Sequence, residues 1–329
     1  MIIVRSPTRV DLAGGTLDLW PLYLFVDGAT TVNVAISLFT EVQLEPLPQS
    51  TQIIFDCEDL NLNSHFSSRE ELLESQNPQL LMIQTLVSFF RPQEGFRLRT
   101  HSESPIGAGL GGSSSLVISL IKAFAQFCSY PIKDVYHLVE LAHNLEAKMI
   151  GAMTGTRDYF PAILGGMNFI DYQPDQVQVK TPSVDLSAFN ERSLLIYTGK
   201  AHHSGLNNFE VVKDCLAKNE NTFQSLRDLK RISEKVASVC LKGDWLSLGS
   251  LFNAEYEART RLAPAFSSPE IKFLKDLSLK NGAEAVKICG AGGGGCVLVW
   301  GSPESFKVVK KECQNNGFQV LEAKALSAI

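Results

Sequence analysis

Apolar and polar positions alternate from the start of the chain to about residue 45, through Ile3, Val4, Val32, Val34, Ile36, Val42 and Leu44, on either side of a Gly14-Gly15 break. That period predicts strands flanking one irregular loop. Residues 70–92, rich in leucine and closing on Phe89-Phe90, predict a helix, and residues 96–100 a strand. The strand feeds Pro105-Ile106-Gly107-Ala108-Gly109-Leu110-Gly111-Gly112-Ser113-Ser114-Ser115, after which Leu116, Val117, Leu120, Ile121 and Phe124 recur at helical spacing. A helix is therefore expected to open at the serines, which are good N-cap residues. A second helix is expected over 134–150, with Leu138, Leu141, Leu145 and Met149 as its apolar stripe and Glu146 at the margin of that stripe. Gly165-Gly166 precedes a short strand over 167–172. Residues 173–187, with two prolines and few large aliphatics, read as the joint between domains. Beyond it the pattern predicts a strand at 193–197, helices from about 207 to 262, and a strand, glycine loop and strand over 285–300.

At roughly 150 residues per domain, a chain of 329 residues is expected to form two domains around one cleft. Its 45% hydrophobic and 20% charged residues are those of an ordinary water-soluble globular protein. Thirty Lys and Arg against 35 Asp and Glu give a net charge of −5, with no block of like charge. Neither nucleic acid nor an anionic membrane surface finds an electrostatic footprint here, so an anionic ligand must be held by local geometry. The opening residues lack the features of a signal peptide, and no apolar run has the length of a membrane span, which together predict a cytoplasmic protein. Seven scattered cysteines without a Cys-x-x-Cys pair predict reduced thiols, and six histidines without a His-Glu-x-x-His arrangement give no support to a dedicated zinc site.

Gly107-x-Gly109-x-x-Gly112 formally matches a dinucleotide fingerprint, but the helix after it runs through Tyr130-Pro131 into another helix where a second parallel strand is required. No Walker A loop occurs. What remains is a set of unobstructed backbone N–H groups, a helix N-terminus behind them and three hydroxyls, which together can cradle phosphate oxygens and a cation; a flexible Gly/Ser turn is the plain alternative. The second loop, Lys287-Ile288-Cys289-Gly290-Ala291-Gly292-Gly293-Gly294-Gly295-Cys296, carries four consecutive glycines between two apolar strands. Each costs about 0.5–1 kcal/mol of chain entropy, which close backbone approach to a ligand or to another chain segment would offset.

Taken with Ser6-Pro7-Thr8-Arg9-Val10-Asp11-Leu12-Ala13-Gly14-Gly15-Thr16-Leu17-Asp18, these loops resemble the motifs of the GHMP kinases, in the family's order, from Arg5 to about Trp300. The resemblance implies an α+β, two-domain GHMP-kinase-like fold, divided into residues 1–178 and 179–329, with ATP and acceptor bound in the interdomain cleft. Arg9, where mevalonate kinases carry lysine, inclines the likeness toward the sugar kinases. Gly14-Gly15, Gly155-Thr156-Arg157-Asp158-Tyr159 and Gly165-Gly166-Met167-Asn168-Phe169 look most like the heptose 7-phosphate kinase branch. That branch usually reads Gly-Gly-Gly-Thr-Asp where this chain has Gly-Gly-Thr-Leu-Asp. Its Thr-Gly-x-x-Arg becomes Thr198-Gly199-Lys200-Ala201-His202, leaving Lys200, His202 and His203 as candidates to replace the arginine's charge.

By the same likeness, Pro105, Gly107, Gly109, Leu110, Gly111, Gly112, Ser113 and Ser114 hold ATP. Ser113 and Glu146 coordinate Mg²⁺, a hard cation suited to oxygen ligands. Asp158 accepts or orients the proton of the acceptor hydroxyl, and Arg9 neutralises charge on the transferring group and favours the ionised form of Asp158. Asp18 takes sugar hydroxyls, with Gly14, Gly15, Gly292, Gly293 and Gly294 shaping the acceptor site. Structural roles are expected for His101, His137, His143, Cys289 and Cys296, whereas Trp20 and Tyr23 either stack on a sugar or staple their loop to the core. The implied activity is ATP-dependent phosphorylation of a hydroxyl, the anomeric one of a sugar or sugar phosphate, by a monomer or homodimer. A mevalonate kinase-like enzyme and a ligand sensor without turnover are the alternatives.

Overall fold

In the computed structural model, residues 1–201 and 204–329 are described, with the backbone alone for 204–207. The first sheet has seven strands: β1 (Ile2–Ala13), β2 (Ala29–Leu47), β3 (Ile53–Cys57), β4 (Leu62–Phe66), β5 (Gly95–Ser102), β6 (Met167–Tyr172) and β7 (Val177–Lys180). Its order is β4-β3-β5-β2-β6-β7, and β1 also lies antiparallel to β2. Only the β3–β5 pair is parallel. Between these strands run α1 (Arg69–Glu74), α2 (Leu81–Phe90), α3 (Gly112–Phe127), α4 (Val135–Ile150) and α5 (Tyr159–Leu164). The single helix expected over 70–92 is broken, because Asn77 caps a short 3₁₀ turn that opens at Pro78, and proline lacks the N–H that a continuous helix would need there.

The second half contains α6 (Ser187–Arg192), β8 (Ser193–Tyr197), α7 (Ser204–Leu216), α8 (Glu220–Lys242), α9 (Leu248–Leu262) and α10 (Pro269–Lys280). It continues with β9 (Ala285–Ile288), β10 (Cys296–Trp300), α11 (Pro303–Asn315) and β11 (Gln319–Leu321). Here the four strands are antiparallel in the order β11-β8-β10-β9. The stretch expected to be a joint holds β7, which pairs with β6, so a division at 178/179 falls inside a strand of the first sheet. The passage from one sheet to the other occupies 181–186 before α6.

One apolar core, with Val117, Phe124, Leu138 and Phe160, lies between the first sheet and α2–α5. Another, with Val10, Val34, Leu229, Phe252 and Trp300, joins the opposite side of that sheet to α8, α9 and the second sheet. The strand period explains this: Val10 and Leu12 point into the second of these cores, while Arg9 and Asp11 emerge on the other face of β1. All seven cysteines are free. Among the described residues no helix is long and apolar enough to cross a membrane.

Candidate active site

The first glycine loop lies between β5 and α3, and Gly111 occupies the N-cap of α3 in the left-handed conformation (φ 70°) with no side-chain cap. A side chain there would pay for a positive φ and crowd Arg9 Nε at 3.3 Å. The serines therefore do not cap the helix. Within its first turn, Ser113 Oγ donates to Glu146 Oε1 at 2.7 Å, Ser114 Oγ donates to Glu146 Oε2 at 2.8 Å, and Ser115 Oγ donates to the Ser6 carbonyl at 3.0 Å. Tyr159, the residue after Asp158, adds its hydroxyl to Glu146 Oε2 at 2.6 Å. Glu146 thus sits inside the packed face of α4, 4% exposed. Burial pushes its carboxyl above the ordinary value, opposed by the hydroxyls of Tyr159, Ser113 and Ser114.

Arg9 ties this loop to Asp158. Its backbone N–H donates to the Leu110 carbonyl at 2.9 Å and its Nη1 to the Gly109 carbonyl at 2.5 Å. Its Nε and Nη2 engage the two oxygens of Asp158 at 2.9 and 2.8 Å, a two-pronged pair that fixes orientation as well as charge. Asp158 stands at the start of α5, but its side chain caps nothing there. Arg157 lies beside it, with Nε 3.1 Å from Asp11 and 3.4 Å from Asp158, and its Nη1 donates to Asp18. Burial alone would raise the Asp11 carboxyl, yet Arg157 and Arg9, with Lys287 and Arg259 behind them, hold it below its ordinary value. Burial also dominates at Asp18 and raises it, against the pull of Arg157.

Arg9, Glu146, Arg157 and Asp158 open on one cavity of about 380 Å³, lined also by residues 104–114 of the first loop, Gly290 and Ala291. Its far end is apolar, formed by Cys57, Leu60, Met82, Ile106, Leu116, Ile150 and Met153. The sequence reading gave that end no residues, because they come from five separate segments without a shared motif. It also gave no role to Asp11, Arg157, Glu255, Arg259 or Lys287, although a charged residue inside an apolar strand, such as Lys287 between Val286 and Ile288, is a readable signal of a buried partner.

Arg9, the first loop, Ser113, Ser114, Glu146 and Asp158 are therefore brought together. Asp18 is not among the cavity's walls: its side chain is wholly buried under Arg157, and a Cβ on Gly155 would lie 1.7 Å from its Oδ2. Gly14 and Gly15 pack against the Thr30 carbonyl and the Arg259 guanidinium. In the second loop, Gly290 and Ala291 reach the cavity, while Gly292 and Gly293 face Phe266 and Gly294 faces Lys200. The glycine run is thus explained by another chain segment: Cys296 N–H donates to the Ala108 carbonyl at 2.7 Å, and Gly290 meets Gly109 backbone to backbone.

At Gly292 (φ 64°) a Cβ would fall 2.2 Å from the Phe266 carbonyl oxygen. Gly292→Ala is expected to lose about 1–3 kcal/mol from backbone strain plus the cost of that collision. Gly317→Ala, with similar φ and open space around it, pays the backbone part alone; urea unfolding midpoints of the two variants separate the contributions.

Lys200 turns its ammonium to Glu270 at 2.7 Å, and His202 and His203 lie outside the described residues. Tyr23 packs on Tyr172 with ring centroids 5.6 Å apart, so it staples its loop, whereas Trp20 is 66% exposed. His143 bonds the Thr154 carbonyl, His137 accepts from Lys133 N–H and His101 pairs with Glu58 and Asp59. Among the described residues no three His, Cys, Asp or Glu side chains cluster as a self-sufficient metal cage. The Glu146 carboxylate and Ser113 hydroxyl, 2.7 Å apart at the cavity wall, are nonetheless a donor set that fits Mg²⁺, which takes one or two carboxylates and completes its shell from phosphates and water.

Two family models match the chain, the GHMP kinases N terminal domain over residues 80–166 and the GHMP kinases C terminal domain over 236–319. D-glycero-alpha-D-manno-heptose 7-phosphate kinase of Campylobacter jejuni is 26% identical over 96% of this chain and 94% of its own length. Mevalonate kinase of Methanocaldococcus jannaschii is 23% identical over 99% of this chain and 100% of its own. Among solved structures, a D-glycero-D-manno-heptose 1-phosphate kinase from Bacteroides thetaiotaomicron superposes with a TM-score of 0.80 at 21% identity, covering 100% of this chain and 97% of that one. With both halves of the family matched in order and its kinases aligned over nearly the whole length, the chain belongs to the GHMP kinases and is an ATP-dependent phosphotransferase acting on a hydroxyl acceptor.

Proposed function

We propose that this protein transfers the γ-phosphoryl group of ATP to a sugar or sugar phosphate, at the anomeric hydroxyl, with a heptose phosphate as the reference acceptor. The observation that carries the reading is the Arg9–Asp158 pair, held at 2.9 and 2.8 Å on the rim of the glycine-serine loop with Glu146 and Ser113 on the same cavity wall. Phosphoryl transfer asks a protein mainly for positioning and charge neutralisation. The loop N–H groups and the start of α3 receive the phosphates, and the apolar end of the cavity receives the base. Glu146 and Ser113 would hold Mg²⁺, which when bound would supply positive charge to offset that of the phosphates. Asp158 orients the acceptor hydroxyl and takes its proton as the new bond forms. Arg9 keeps that carboxylate aimed and offers positive charge to the transferring group. Asp18 acts through Arg157, whose guanidinium it anchors, and does not touch the acceptor itself.

The setting is a cytoplasmic monomer or homodimer with two lobes divided near residue 180. ADP release measured with D-glycero-D-manno-heptose 7-phosphate, galactose and mevalonate tests the acceptor. Turnover with one of the sugars and none with mevalonate is expected. Activity confined to mevalonate would overturn the sugar reading.

A further inference from the structure

Three charged side chains lie deep in the second half of the molecule and take no part in the chemistry above. Glu255 and Arg259 stand one turn apart on α9, and Lys287 projects from β9; their side chains are 0%, 1% and 0% exposed. Arg259 Nε donates to Glu255 Oε1 at 3.0 Å, and Lys287 Nζ lies 3.2 Å from the same oxygen. Lys287 also donates to the Ile288 carbonyl at 2.6 Å. Burying three ions is a poor way to gain stability, since well-packed apolar replacements of such groups are often neutral or better. The arrangement calls for another reason.

That reason lies in where the outward end of the triad points. Arg259 Nη1 donates to the Gly290 carbonyl at 3.1 Å, and the guanidinium rests on the Phe266 ring, 5.2 Å from its centroid. The Phe266 carbonyl in turn accepts the Gly293 N–H at 2.9 Å. One arginine therefore braces the second glycine loop on both sides of its bend. Gly290 is packed so closely on Gly109 that a Cβ would come within 2.8 Å of the Gly109 carbonyl oxygen, the atom that receives Arg9 Nη1 at 2.5 Å. A continuous line of contacts runs from α9 through Gly290 and Gly109 to Arg9 and Asp158.

We infer that Glu255, Arg259 and Lys287 are positioning residues that lock the second glycine loop against the first and so fix the phosphate end of the cavity from the opposite half of the chain. The inference rests on the assignment of the first loop as the phosphate cradle. Glu255 aligns the guanidinium, Lys287 approaches the same carboxylate oxygen and ties it to β9, and Arg259 makes the contact. Lysine at position 259 keeps the charge but lacks the fork that reaches Glu255 and Gly290 together.

Arg259→Lys is expected to lower kcat per folded molecule by about 10–100-fold, the penalty of a small misplacement at a reacting centre. The KM for ATP should move far less, because the apolar end of the cavity is untouched. Amide hydrogen exchange over residues 107–112 and 290–295 should quicken in the same variant, with and without a non-hydrolysable ATP analogue. A role in folding alone would lower the melting temperature and leave both kcat per folded molecule and loop exchange unchanged, which would overturn the proposal. Should Arg259→Lys fail to fold, the charge-balanced pair Glu255→Gln with Lys287→Gln makes the same measurement under the same criteria. Exchange needs no acceptor, so an error in the acceptor assignment leaves it readable. Failure of the analogue to protect residues 107–112 in the wild-type protein would count against the cradle itself.

Discussion

Asp158→Asn is expected to lower kcat by about 10²–10⁴-fold, the usual contribution of a positioned acid–base group, while affinity for an ATP analogue stays within a few-fold of wild type. The asymmetry follows from the geometry. Asparagine keeps the shape of the side chain and can still meet Arg9, but its amide cannot accept the proton that leaves the acceptor hydroxyl. In the proposed reading the nucleotide is held by the first loop, Glu146 and the apolar part of the cavity, whereas the ion-pair partners of Asp158 are Arg9 and Arg157. Steady-state turnover and analogue binding on one preparation separate the two effects. A kcat within tenfold of wild type would remove Asp158 from the chemical step.

Arg9→Ala should damage both folding and turnover. Its side chain is 2% exposed and serves Asp158, Asp11 and the Gly109 carbonyl together. Burial by itself would lower the affinity of Arg9 for its proton, and Asp11 and Asp158 more than offset that effect. Taking the guanidinium away leaves Asp11, 1% exposed, with Arg157 as its near partner. Breaking a buried pair from one side costs about 3–5 kcal/mol, and the loss of charge at the transferring phosphoryl group about 10²–10³-fold in kcat. Arg9→Lys separates the two: the retained charge should recover part of the stability in urea unfolding, while a single ammonium cannot grip both oxygens of Asp158 and the Gly109 carbonyl, so turnover should remain low. Equal recovery of stability and turnover would mean that charge alone matters at this position.

Much of the molecule was legible in its sequence for reasons that can be named. The period of two in the first 45 residues specified β1 and β2, because alternate side chains of a strand face opposite layers. Helical spacing specified α3 and α4, and β8, β9 and β10 stand where short apolar runs bounded by polar or glycine residues placed them. The leucines on both sides of Pro78 give 70–92 the density of one helix and hide the break that the proline makes. The small strand β7 carries no readable signal because its four residues, two intermediate and two exposed, give too little pattern to distinguish a sheet edge from a linker.

At the candidate site, the residues proposed to bind phosphate were legible locally, since glycines at left-handed positions and hydroxyls at the start of a helix are properties of adjacent residues. Arg9, Ser113 and Asp158 were readable because each belongs to a short motif, and Glu146 because it stands at the margin of the apolar stripe of α4. Their meeting was decided by tertiary structure alone: 149 positions separate Arg9 from Asp158, and only the packing of β1 beside α5 joins them. The same holds for Asp18, buried beneath Arg157, and for the second glycine loop, whose backbone packs on the first. A sequence fixes what each residue can donate, accept or leave open. Which partner it meets depends on how sheets and helices stack, and here that stacking set the second glycine loop against the first through Gly290, Gly295 and Cys296.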